Sequence, residues 1–142
     1  MKLSVETPYG TVTRTTERPY RFVVVTQGQG ETYQRARHEA ARRSTLAEAA
    51  KYERWAAAAE DGIYHEVYNG GYGHANHTVG ELVSYAAGAR AKASQPFKFE
   101  PGRPGAYGWS QSRSGAQKMA DEAAKYGHEG IMILAVTVPV AK

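Results

Sequence analysis

The period of the hydrophobic positions changes several times along the 142-residue chain. Near the N-terminus, "KLSVETPYGTVTRTT" alternates β-branched and polar residues around Thr7, Pro8, Tyr9 and Gly10, a turn with Pro second and Gly fourth. That pattern predicts a β-hairpin. The run "YRFVVVT", Tyr20 to Thr26, stays apolar through Val25 and predicts a central strand buried on both faces. "QGQG" ends it, and a helical stretch follows from about Glu31 to Glu60, with Tyr33, Ala36, Ala40, Ala47, Ala50 and Trp55 at helical spacing. Thr45 and Glu48 resemble a capping box inside this stretch, so one bent helix and two collinear helices both fit.

"DGIYHEVYNGGYGHANH" has no helical period and is rich in Gly and Asn, which predicts a loop with at most a short strand at "IYHEVY". Thr78 and Glu81 form a second capping box, opening a helix from Val79 to about Ala93. "PFKFEPGRPGAYG" reads as a connector in which "FKF" can pair as an edge strand. The last unit starts at a helix capped by Ser112 or Ser114, with Gln117 placed to complete a box with Ser114. The helix carries Ala116, Met119, Ala120, Ala123 and Ala124 and ends at Gly127, before a second central strand in "GIMILAVTVPV". The order predicts an α+β fold in one domain, 1–142: an antiparallel or mixed sheet of about four strands with two to four helices mainly on one face.

Composition narrows the chemistry. The chain has no cysteine, which removes disulfides, thiolate metal sites and cysteine nucleophiles. Eighteen Lys and Arg against 14 Asp and Glu give a net charge of +4, a mild excess that steers encounters without defining them. "MKLSVETPYG" has no apolar core of a signal peptide, and no run approaches the roughly 20 apolar residues of a membrane span. The expectation is a soluble, cytoplasmic protein.

The Tyr64 to His77 segment gathers the candidate binding residues: Tyr64, His65, Tyr68, Tyr72, His74 and His77. His65, Glu66, His74 and His77 are the right types for a nitrogen and oxygen metal set, but they lack the i, i+4 spacing of helical ligands. A recognition loop is the favoured reading, with no metal and no cofactor. Arg35, Arg42 and Arg43 form a secondary basic face that suits nucleic acid, although Glu31, Glu39 and Glu48 interleave with it. There is no P-loop, no G-x-S-x-G elbow and no complete dinucleotide fingerprint.

Two resemblances follow from longer patterns. "WSQSRSGAQKMADEAAKYGHEGIMILAVTVPV", Trp109 to Val140, resembles the serine-motif region of ADP-ribosyltransferases. It implies Ser110 and Ser112 on a nicotinamide ribose and Arg14 or Arg21 on the dinucleotide. The chain ends two residues after Val140, so the required glutamate is expected to be missing unless Glu66, Glu81 or Glu100 reaches across. "TRTTERPYRFVVVT", the charged Ala-rich helix and the late "W-S-x-S" helix together resemble small accessory proteins of actinobacterial phages. This second resemblance implies a non-enzymatic protein that binds a protein partner, such as a host factor in the host cytoplasm. A homodimer fits the exposed tyrosines and long helix. The alternatives are an NAD-using ADP-ribosyltransferase-like enzyme and a nucleic-acid-binding protein.

Overall fold

A computed structural model describes residues 1–68 and 73–137, without the side chains of Tyr68 and His74. The chain is α+β. It divides into two compact units, one of Met1–Arg35 with Phe99–Lys142 and one of Ala36–Lys98.

The first unit is built around the valine run. β1 (Lys2–Thr7) and β2 (Gly10–Thr15) form the expected hairpin, with Val5 opposite Val12. Thr7 Oγ1 donates to the Gly10 carbonyl at 2.7 Å and accepts the Tyr9 N–H at 3.0 Å, which locks the turn. β3 (Phe22–Thr26) is the middle strand of an antiparallel sheet, between β7 (Gly105–Ser110) and β9 (Met132–Ala135). Val23 and Val25 face Leu3, Tyr20, Trp109 and Val136, with Val5 and Val12 of the hairpin beside them. Val24 faces the other way, onto Ala116 and Ala120 of α3 (Arg113–Lys125). A strand covered on both sides must be apolar at odd and even positions alike. Here the covers are a hairpin and a helix, and the sheet is antiparallel with three strands rather than about four.

Small residues let α3 approach the sheet: Ala116, Ala120 and Ala123 are its buried positions. Gly127 follows the helix at φ +79°, where an added Cβ would run into the Tyr33 ring. β4 (Gly28–Gln29) pairs with β8 (His128–Glu129) and completes the unit.

The second unit holds most of α1 (Glu31–Ala58), the hairpin of β5 (Ile63–Tyr68) and β6 (Gly73–Thr78), and α2 (Val79–Ala93). α1 is one continuous helix through Thr45, so Thr45 and Glu48 cap nothing. Thr78 does cap α2, its Oγ1 accepting the Glu81 N–H at 3.1 Å. The loop expected at 64–77 is instead a paired hairpin, at least through its described residues. "FKF" forms no strand. Phe97 sets its ring edge against His38, and Pro96 and Pro101, which flank the motif, cannot donate to a ladder.

Candidate functional site

Register sorts the β5–β6 side chains onto two faces. Tyr64 lies opposite His77 and Glu66 opposite Ala75, while Ile63, His65 and Val67 alternate to the other side with Asn76 and Thr78. The first face is consumed within the unit. Trp55 of α1 stacks on Tyr64, with centroids 4.8 Å apart and planes 14° apart, and on His77 at 5.9 Å. Tyr52 meets Trp55 edge-on at 5.8 Å and Tyr85 of α2 at 5.4 Å. The Lys51 ammonium lies 4.8 Å from the Tyr52 ring centre and 4.9 Å from that of Trp55, close enough for cation–π attraction. His77 Nε2 donates to Glu66 Oε2 across the diagonal of the hairpin at 2.8 Å.

The second face is open. Val67 is 65% exposed and Ile63 38%, while His65 Nδ1 lies 2.5 Å from Asn76 Oδ1 between them. Two apolar side chains thus stand in solvent on a strand whose rear is clamped by stacked rings. This is a stiff presentation, because the conformational cost of ordering the strand is met by contacts on the other side.

Of the candidate residues, Tyr64 and His77 point inward as scaffold and His65 points outward. Tyr72 and the side chains of Tyr68 and His74 lie outside the described residues. His65 is on the face opposite Glu66 and His77, so those three do not converge on one ion. Among the described residues no group of His, Asp and Glu is arranged to hold a metal. The basic residues are paired along α1: Arg35 with Glu31 at 2.7 Å, and Arg42 and Arg43 with Glu39 at 3.4 Å each. Sequence reasoning passed over Trp55, Tyr52, Lys51 and Tyr85. A usable signal was the alternation in "IYHEVY", followed after a Gly-rich interval by "HANHT".

The two serines of "WSQS" have local work. Ser110 is buried, its Oγ donating to the Ser112 carbonyl at 2.8 Å and accepting the Ser112 N–H at 3.2 Å. Ser112 Oγ accepts the Gly115 N–H at 3.1 Å, which makes Ser112, not Ser114, the cap of α3. Gln117 turns to Asp121 instead of completing a box. Ser112→Ala is expected to lower unfolding free energy by about 1 kcal/mol, the usual cost of an N-cap, measured by chemical denaturation. Nicotinamide release from labelled NAD is expected to be nil before and after the change.

A second polar group in the first unit was not foreseen. Thr26 Oγ1 lies 2.9 Å from His128 Nδ1 and accepts the Gly28 N–H at 3.1 Å, but Thr26 is buried and offers no approach to a substrate. The ring of His128 meets that of Tyr107 edge-on at 5.1 Å. Tyr107 donates to Glu122 Oε1 at 2.5 Å; this hydrogen bond, with a smaller contribution from burial, pushes the phenol up to about 12. The raised value belongs to the folded state. Stability from this bond is therefore full below pH 10, the phenol's ordinary value, and is lost as pH rises through about 12. Ultraviolet titration is expected to find one of the ten tyrosines ionising near pH 12, and Glu122→Gln is expected to bring it down.

Comparison with protein-family models, curated proteins and solved structures finds no match for this chain. Among the described residues no helix is long and apolar enough to cross a membrane.

Proposed function

We propose that the chain is a small non-enzymatic binding protein that forms a stoichiometric complex with a protein partner. The outward face of the β5–β6 hairpin is its principal contact. The observation that carries this reading is the exposure of Ile63 and Val67 on a strand whose opposite face is fixed by Trp55, Tyr64 and His77. Val83 of α2 adds an exposed apolar side chain in the same unit. Apolar side chains held in solvent on a strand fixed from behind offer a partner a preorganised contact. The partner is a host factor on the reading that the phage resemblance implies. Arg42 and Arg43, partly neutralised by Glu39, contribute steering more than affinity.

The paired substitution Ile63→Asp and Val67→Asp tests this. Wild-type protein immobilised in host lysate is expected to retain one partner in fixed ratio, and the variant to retain it at least tenfold less, about 1.4 kcal/mol or more. Ser112→Ala is expected to bind like wild type. Equal retention by the hairpin variant, with unchanged circular dichroism, would refute the assignment.

A further inference from the structure

The second unit also carries a groove that the hairpin reading leaves unused. A cleft of about 280 Å³ is lined by His38, Arg42, Lys92 and Lys98 among others. A second cleft of about 380 Å³ is lined by Glu48, Tyr52, Tyr85 and Gly88. Thr45 and Lys92 line both, so the two form one continuous depression running between α1 and α2.

Its two ends differ in chemistry. Around the first cleft, the segments 36–45 and 92–98 hold Arg37, Arg42, Arg43, Lys92 and Lys98 against a single carboxylate, Glu39. Glu39 is shared between two guanidiniums, and Lys92 and Lys98 make no ion pair among the described residues. Lys92 sits in the last turn of α2, where the helix dipole alone favours a cation. Lys98 lies beyond that helix and Arg42 in the middle of another, so the dipole does not explain the convergence. At the other end, Tyr85 is 46% exposed and its ring leans on Tyr52. Tyr52 is held in place by its hydroxyl, which donates to Glu48 Oε1 at 2.9 Å. Gly88 leaves the floor beside them clear, since a Cβ there would meet nothing within 4 Å.

We infer that this groove binds single-stranded nucleic acid, with phosphates against Arg42, Lys92 and Lys98 and a base stacked on Tyr85. A charged track joined to an exposed ring is the usual combination for a strand without sequence preference. Ten residues of helix, roughly 15 Å, separate Arg42 from Tyr52, which is room for a short run of nucleotides. A phosphopeptide calls for a cluster of arginines on one phosphate, whereas Arg42 is the one arginine lining this cleft beside two lysines, and the groove runs on to an exposed ring. The clefts are too small for a duplex. This ligand is separate from the hairpin's protein partner.

The test is fluorescence anisotropy with a labelled oligothymidylate of about 12 nucleotides, within the usual site size, at about 50 and 200 mM salt. Wild type is expected to bind, and to weaken at least tenfold at the higher salt. Lys92→Gln with Lys98→Gln is expected to weaken binding at least tenfold and to flatten the salt dependence by about two phosphate contacts. Tyr85→Ala is expected to weaken it at least fivefold, and Tyr85→Phe to preserve it. Ile63→Asp with Val67→Asp is expected to bind like wild type, which separates this result from failure of the hairpin reading. No anisotropy change at low salt, equal binding of a duplex, tighter binding of a labelled phosphopeptide, or indifference to the Lys92 and Lys98 changes would each overturn the inference.

Discussion

Trp109→Ala is expected to lower unfolding free energy by about 3–5 kcal/mol, the usual cost of deleting a buried indole. Trp109 is 8% exposed and packs in the cluster of Leu3, Tyr20, Val23, Val25 and Val136, with its ring centre 6.4 Å from that of Tyr20. Its neighbours are fixed by both strand ladders and the β1–β2 hairpin, so they cannot collapse into the space. Total stability of a domain this size is on the order of 5–15 kcal/mol, so a large share would go. Urea denaturation is expected to give a lower midpoint at unchanged slope. A loss below about 1 kcal/mol would mean that the hairpin does not cover this face of β3.

Trp55→Ala is expected to have the largest effect on the second unit. Among the described residues the indole is the only side chain that stacks on both Tyr64 and His77, and each aromatic pair contributes about 0.5–1.5 kcal/mol beyond area burial. Among the described residues of this unit only Ala49 and Leu82 are fully buried. Without Trp55 little holds β5–β6 in place. Hydrogen exchange at the β5 and β6 amides is expected to quicken at least tenfold, and partner retention to fall with it. Trp55→Phe, which keeps a ring for stacking, is expected to recover much of both. Unchanged exchange in Trp55→Ala would show that the ring stack does not organise the hairpin.

Legibility in the sequence followed how local each feature's cause was. The valine run was readable because two covered faces leave no polar position on the strand. The Thr78 cap was readable because its partner lies three residues away. Thr45 and Glu48 carry the same spacing inside a continuous helix, where the backbone donors are already satisfied and a cap has nothing to bind. The 64–77 segment misled because its Gly and Asn content suggested a loop, while the alternation of Tyr64 and Glu66 against His65 and Val67 carried the strand. The stacking face of Trp55 was not readable, since its partners Tyr64 and His77 come from two strands whose meeting with α1 only the fold determines. Ser110 and Ser112 show the reverse: a pattern suggestive of an NAD pocket, whose hydroxyls are occupied by the turn and helix they begin.

Photo-crosslinking from the hairpin tests the central claim most directly. A photoreactive amino acid at position 67, on the open face of β5, is expected to give one discrete adduct with a protein partner in a cell lysate that supplies it. The same group at position 117, on the exposed side of α3, is expected to give none. Absence of an adduct from position 67, equal adducts from both positions, or capture of nothing but a second copy of this chain would contradict the assignment of the hairpin as the partner-binding surface.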